Sequence, residues 1–286
     1  MERRLIIDTI RRSVAELYPQ REALAIAYTA AQHFFGFSRT QTIIEPSVQV
    51  NVDAALLDEV CRQLAAGCPV QYVTGAAEFM ERQYVVDEHV LIPRPETEEL
   101  IRWIIDDSSG EPSLRVLDVG TGSGIIAVSL ALELLKPSVD AVDISPEALI
   151  VARRNALNNN TSVCFVCADA LADDEFRNRL PHDTYDIIVS NPPYVPDSEY
   201  DSMCDNVRKF EPASALFVPD DNPLLFYDAV ARHALTLLDN GGRLFFEIHE
   251  LFAENVCRLL ENFGFVDVEC RKDINNKPRM VRCVKR

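Results

Sequence analysis

Positive charge is scarce in this chain: 28 lysines and arginines face 45 aspartates and glutamates over 286 residues, a formal net charge of −17. A protein that wraps nucleic acid shows a basic footprint, so the balance favours basic or neutral protein partners and no direct nucleic acid. Long apolar runs are also missing. No stretch reaches the roughly 18 residues that a bilayer span requires. The opening "MERRLIIDTIRRS" holds only a three-residue apolar run, too short for a secretory signal. The expectation is a cytoplasmic protein with no membrane partner.

Metal-site spacing is lacking as well. The eight cysteines, Cys61, Cys68, Cys164, Cys167, Cys204, Cys257, Cys270 and Cys283, form no dense framework. Most sit in apolar runs, and scattered thiols of this kind read as reduced, buried residues of a cytosolic chain. Cys164 and Cys167 make one C-x-x-C with no second Cys/His pair at zinc spacing. They sit in a predicted strand, where residues three apart point to opposite faces, so no metal is expected. The histidines His33, His89, His182, His233 and His249 are isolated and read as structural or surface residues. There is no Gly/Ser-rich linker, no low-complexity tract and no internal repeat.

What is present is an ordinary globular composition, 48% hydrophobic and 26% charged. Residues 1–75 read as helical. Leu5, Ile6, Ile10, Val14 and Leu17 recur at helical spacing. "REALAIAYTAAQHFFGF" predicts a second helix ending near Gly36, and "NVDAALLDEVCRQLAAG" a third, capped by Asn51 or Asp53 and ended by Gly67. "EFMERQYVVDEHVLI" alternates and predicts a strand pair. Pro93 and Pro95 then hold the chain extended around Arg94, and Thr97 is placed to cap the helix "EELIRWII". The organisation expected is a helical domain over 1–75, a hairpin linker over 76–92 and a larger domain over 93–286.

From about residue 112, strands alternate with helices: "LRVLDVG", "DAVDI", "SVCFVCADA", "YDIIVSN" and "GRLFFEIH" are the strands, separated by amphipathic runs. "PLLFYDAVARHALTLLDNGG" predicts a helix ended by its glycines. This is the α/β pattern of a parallel sheet covered on both faces. "FVDVEC" and "RMVRCVKR" follow with no room for a crossover helix, which predicts an antiparallel edge.

Four features fall at the carboxyl ends of consecutive strands, the edge at which open α/β sheets bind ligands. Gly120-Thr121-Gly122-Ser123-Gly124 allows positive φ and close backbone approach, ahead of a helix start with free N–H groups. Its G-x-G-x-G spacing is neither the dinucleotide fingerprint nor a phosphate-binding Walker loop, and alone it also reads as a βα turn. Asp143 can accept hydrogen bonds from both hydroxyls of a ribose, and Asp169 can receive an adenine amino group; either also serves as a turn residue. Together they point to a nucleoside-containing ligand. The fourth feature, Asn191-Pro192-Pro193-Tyr194, ends an apolar strand in two residues of fixed φ. An Asn oxygen and a rigidly held Pro192 carbonyl can fix the two hydrogens of a planar N–H2 group, with Tyr194 packing on its flat face. An amide and a nucleic-acid base amine pose the same problem, so both acceptors remain open at this point.

"VLDVGTGSGIIAVSLA", "AVDISPEAL" and "IIVSNPPYV" resemble the core motifs of S-adenosylmethionine-dependent methyltransferases. With "PVQYVTGAAEF", "VLIPRPETEEL", "EPASAL" and "NKPRMV", the chain from about residue 69 onward resembles the peptide-chain release factor glutamine methyltransferases of the HemK/PrmC type. That resemblance implies a small helical substrate-docking domain and a hairpin. Beyond them it implies a seven-stranded, mostly parallel, Rossmann-like sheet. It implies methylation of the glutamine side-chain nitrogen in the Gly-Gly-Gln motif of class I release factors. A monomer is expected. An adenine- or cytosine-amino methyltransferase is the alternative. Gly120 to Gly124 would approach the methionine part of the cofactor, Asp143 the ribose, and Asp169 and Ala170 the adenine. Asn191, Pro192, Pro193 and Tyr194 would hold the glutamine, with Asn191 also facing the cofactor. Arg94 reads from its position either as a solvent-facing linker charge or as a residue that bridges the domains near the cofactor and helps bind it. The chain departs from the family pattern at Ala170, where an aromatic is common, and at Tyr84, which replaces Phe. It departs again at His249 and at "FVPDD", where glycines are usual.

Overall fold

The computed structural model describes the backbone of residues 1–286 and every side chain save those of residues 173 and 174. Two compact units divide the chain: residues 1–76 with 203–210, and residues 77–202 with 211–286.

In the first unit, helices α1 (Arg3–Ser13), α2 (Gln20–Phe35), α3 (Arg39–Ile44), α4 (Ala54–Ala65) and α5 (Val70–Thr74) surround a core that includes Ile6, Ile10, Ala27, Ala30 and Leu64. Leu5 and Leu17, expected on the apolar stripe of α1, are instead 48% and 51% exposed, and Ile7 turns inward. Leu5 precedes Ile10 by five residues, which at 3.6 per turn sets it about 140° off the stripe. Leu17 lies past the helix end. Gly36 closes α2 in the left-handed region, and Asp53, not Asn51, caps α4 by accepting from the Ala55 N–H at 2.9 Å. The sequence reading passed over α3, although Ser38 and Gln41 form a capping box at its start.

The second unit opens with a hairpin, β1 (Ala76–Phe79) and β2 (Arg82–Val85). It is shorter than the alternating pattern suggested. The Asn155 side chain takes over both backbone groups of Val85, receiving its N–H at 2.6 Å and donating to its carbonyl at 2.9 Å, so the ladder stops there. Next come α6 (Pro95–Asp107), β3 (Arg115–Val119), α7 (Ile125–Glu133), β4 (Ser138–Asp143), α8 (Pro146–Asn158), β5 (Cys164–Cys167), α9 (Asp173–Arg179) and β6 (Tyr185–Ser190). The short β7 (Val195–Pro196) follows; α10 (Asp205–Phe210) belongs to the first unit; and β8 (Phe217–Val218), α11 (Leu225–Leu237), β9 (Leu238–Glu247), α12 (Ala253–Asn262), β10 (Val266–Lys272) and β11 (Pro278–Val284) complete the chain.

Seven strands form one sheet in the order β10-β11-β9-β6-β3-β4-β5. Those from β9 to β5 are parallel, and β11 runs antiparallel to both β9 and β10. Strand alternation divides the core between the two faces: Val116 and Phe245 pack with Trp103 and Leu130, whereas Leu117 and Phe246 pack with Tyr227 and Leu260. The chain reverses its direction of sheet growth at β3, whose neighbours are β4 and β6, and this places the crevice of an open α/β sheet at their carboxyl ends.

Two boundaries differ from expectation. α6 begins at Pro95 with no side-chain cap; Thr97 lies inside its first turn, 3% exposed, with its hydroxyl turned into the core. Pro suits that first position because its missing N–H would be unpaired there anyway. α11 ends at Leu237, and β9 runs through Gly241 and Gly242. Backbone bonds to Lys285 hold those glycines beside the end of β11.

Candidate active site

A cavity of ≈ 340 Å³ opens at the carboxyl ends of β3, β4, β5 and β6, within the size range of small-molecule sites. Its wall includes Arg94, Gly120, Thr121, Gly122, Ser123, Asp143, Asp169, Ala170, Asn191, Pro192 and Pro193. Residues scattered over a hundred positions of sequence are thus brought to one space. Gly124 and Tyr194 are not in this wall.

The glycines divide their work. Gly120 and Gly122 have φ of 75° and 53°, and a Cβ on either would meet nothing within 4 Å, so their bare backbone leaves room for a ligand. Gly124, at φ 78°, backs onto α8, where a Cβ would come 2.9 Å from that of Ala152. It permits helix packing rather than ligand approach.

Carboxylates organise the loop from behind. Asp143 receives the Gly122 N–H at 2.8 Å and the Ser145 N–H at 2.9 Å, one on each oxygen, and each oxygen keeps a second lone pair for a diol. Burial pushes its carboxyl upward. Asp118, fully buried, accepts from the Thr121 hydroxyl at 2.6 Å and the Ala127 N–H at 3.2 Å, both on Oδ2. Its Oδ1 has no partner among the described residues, and burial pushes the carboxyl up to about 7. Asp169 holds the Leu171 N–H at 2.8 Å, and the Ala170 carbonyl receives His233 Nε2 at 2.9 Å. Where an aromatic is absent at Ala170, the cavity wall carries Ile144, Leu171, Phe226 and Val230. Ile144 is 60% exposed, an apolar surface suited to a flat ring.

The Asn-Pro-Pro-Tyr loop is held from two sides. The N–H groups of Tyr194 and Val195 both donate to the Leu216 carbonyl, at 3.2 and 2.9 Å, and β7 pairs with β8 just beyond. Asn191 Nδ2 donates to Thr97 Oγ1 at 3.3 Å; Thr97 donates to Glu247 Oε2 at 2.7 Å; and the Tyr194 hydroxyl donates to Glu247 Oε1 at 3.2 Å. Tyr194 is therefore committed to Glu247 behind the loop rather than to the cavity. Glu247 is 1% exposed, and burial pushes its carboxyl up to about 6. Arg94 donates to Glu211 at 2.6 Å, and Glu211 also receives the Ile92 N–H at 3.0 Å. Both partners lie in the second unit.

Sequence reasoning overlooked Asp118, Asn155, Glu211 and Glu247. A signal existed for Glu247, an acid ending an apolar strand as Asp143 does. Asn155 and Glu211 carry no local signature, since their partners lie far off in sequence, whereas those of Asp118 lie only three and nine residues on.

Fold and cavity define an S-adenosylmethionine-dependent methyltransferase. The cofactor fits the residues present: an open glycine cradle, and Asp143, whose two oxygens each keep a lone pair for a ribose diol. Residues 100–210 match the methyltransferase small domain, and residues 8–75 match the PrmC N-terminal domain. A methyltransferase of Pyrococcus furiosus shares the fold, with a TM-score of 0.51 and 18% identity over 71% of this chain and 88% of that one. The release factor glutamine methyltransferase of Flavobacterium psychrophilum is 36% identical over 94% of each chain. That of Bacteroides thetaiotaomicron is 38% identical over 95% of this chain and 96% of its own. At that likeness over nearly the whole length, the chain belongs to the release factor glutamine methyltransferase family.

Proposed function

We propose that the protein methylates the side-chain amide nitrogen of the glutamine in the Gly-Gly-Gln motif of class I release factors. The observation that carries this reading is the Asn191 amide, whose Nδ2 is engaged by Thr97 while its Oδ1 has no donor among the described residues. A primary amide nitrogen is a poor nucleophile because its lone pair is delocalised into the carbonyl. Asn191 Oδ1 and the Pro192 carbonyl accept its two hydrogens and aim the nitrogen into the cavity. The proline pair and the Leu216 carbonyl keep both acceptors fixed, so little reorganisation accompanies reaction. S-adenosylmethionine, when bound, supplies a methyl group on a sulfonium sulfur. Gly120 to Ser123, Asp143, Asp169, Ala170 and Arg94 bind it in this reading, with Ile144, Leu171, Phe226 and Val230 covering the adenine. No protein group has to remove a proton before transfer; the amide proton departs afterward.

Residues 1–75 dock the release factor, residues 76–92 link, and residues 93–286 hold the chemistry. The protein works as a cytoplasmic monomer. The same loop suits a base amine, but the charge of −17 disfavours nucleic acid. Incubation with methyl-labelled cofactor and either a release factor or DNA decides between them. Label on the release factor should vanish when the Gly-Gly-Gln glutamine is replaced, and label on DNA alone would refute the reading.

A further inference from the structure

We infer that Thr97 and Glu247 form a hydrogen-bond relay that sets the polarity of the Asn191 side-chain amide, presenting its oxygen rather than its NH2 group to the acceptor. This deepens the function proposed above and rests on its reading of Asn191 as the holder of a primary amide. A 180° rotation of an asparagine amide hardly changes its shape, so packing alone selects neither orientation. Hydrogen-bond direction does. Both oxygens of Glu247 serve as acceptors, as those of a carboxylate do, and neither has a hydrogen to give. Glu247 accepts from Thr97 at 2.7 Å and from Tyr194 at 3.2 Å, one on each oxygen. The single hydroxyl hydrogen of Thr97 is thereby committed, and only lone pairs remain toward Asn191. Nδ2 must face Thr97, as it does at 3.3 Å, and Oδ1 is turned to the other side. The reversed amide would set two donor groups against each other, one from the enzyme and one from the substrate. Thr97 and Glu247 are positioning residues, since they act through Asn191.

Glu247→Gln keeps the shape but brings a donor. Its NH2 can bond to Thr97 Oγ1 and free the hydroxyl hydrogen for Asn191 Oδ1, which inverts the relay. Thr97→Val removes the hydroxyl at nearly constant volume, and Thr97→Ser restores it. The expected result is a kcat about tenfold to hundredfold lower in Thr97→Val and in Glu247→Gln, the scale of losing one orienting hydrogen bond at a reacting centre. Cofactor affinity by calorimetry should stay within about threefold, because the hydroxyl of Thr97, although that residue borders the cavity, is spent on Glu247 and Asn191, and Glu247 lies outside the cavity wall. Serine should recover most of the loss. An unchanged kcat in Thr97→Val, no recovery by serine, or an equal fall in cofactor affinity would each overturn the relay.

A second readout needs no turnover. The side-chain 15N–1H2 signal of Asn191, assigned by its disappearance in Asn191→Ala, should shift in Thr97→Val and Glu247→Gln and return in Thr97→Ser. A signal that does not move overturns the relay whether or not the wild-type protein methylates a release factor. A signal that moves as expected, in a protein that labels no release factor, upholds the relay and removes the proposed substrate instead.

Discussion

Thr97 and Glu247 lie 150 positions apart, yet the threonine hydroxyl donates to the glutamate carboxylate at 2.7 Å, both groups buried. This bond ties the first turn of α6 to the carboxyl end of β9, directly behind the Asn-Pro-Pro-Tyr loop. It shows how the site is made: Thr97, at the cavity wall, and Glu247, outside it, together hold Asn191 from the rear.

Asn191 stands at the front of that arrangement, and its loss should separate binding from chemistry. In Asn191→Ala the glycine loop, Asp143 and Asp169 are untouched. Cofactor affinity should therefore stay within about threefold, while kcat falls about a hundredfold or more, as when one preorganised polar group is removed from a reacting centre. Calorimetry with the cofactor and single-turnover methyl transfer measure the two. Equal loss in both would reassign Asn191 to cofactor binding.

The glycine loop offers a contrast between two substitutions of one type. At Gly124 an added Cβ would stand 2.9 Å from the Cβ and 3.1 Å from the Cα of Ala152, at φ 78°. Since backbone cannot yield cheaply, Gly124→Ala should destabilise by about 2–4 kcal/mol. Gly122→Ala meets open space at φ 53°, so its stability cost is only about 1 kcal/mol. Its methyl projects from the cavity wall, and cofactor affinity should drop by about tenfold or more, from roughly 1.4 kcal/mol of lost contact. Urea denaturation and cofactor titration on both variants test this; the opposite ranking would mean that Gly124, not Gly122, faces the ligand.

How much of this was legible in the sequence follows from the range of the interactions. Periodicity and glycine placement outlined the alternating α/β domain, its antiparallel edge and most of the cavity wall, because strand ends and turns are local features. The hydrogen-bond partners were not legible. Thr97 followed by an apolar run looks like a cap, and only the arrival of Glu247 behind it reveals a hydroxyl turned inward. Tyr194 read as a wall of the site for a similar reason: a tetrapeptide does not say which side of a loop its aromatic takes. Asn155, which joins Val85 to the Ser123 carbonyl, gives no sign of itself within a helical run.

Glu211 should matter more than its distance from the chemistry suggests. It is buried and accepts from both the Ile92 N–H and Arg94, fixing the segment that lines the cavity. Glu211→Ala leaves a buried N–H and a half-buried guanidinium without their acceptor, and should destabilise the fold by about 2–3 kcal/mol. Arg94→Ala removes the more exposed partner but strands a buried carboxylate, so it should cost a similar amount. The double variant should cost less than the sum of the two, since each single change already breaks the shared bond. Additive losses in chemical denaturation would show that the pair is uncoupled.

Asp118 gives the ligand-free protein a pH dependence opposite to that of an ordinary paired carboxylate. Burial raises its carboxyl from 3.8 to about 7 in the folded chain. Between those values the folded state keeps a proton that the unfolded state has released. The slope of unfolding free energy with pH follows protons bound unfolded minus protons bound folded, which is negative here. The contribution of Asp118 to stability is therefore full below pH ~4, declines as pH rises through ~7, and is flat above. Glu247, raised from 4.5 to about 6 by burial, acts in the same direction over a narrower window. Other groups titrate over the same range, so the informative quantity is the difference between wild type and Asp118→Asn, whose side chain has nearly the same shape and no charge to bury. From pH 4 to pH 8 the variant should gain on the wild type by on the order of 1–4 kcal/mol. Thermal or urea unfolding across that range reads it directly. A difference that stays level with pH would mean that Asp118 titrates in the folded protein as it does in the unfolded chain.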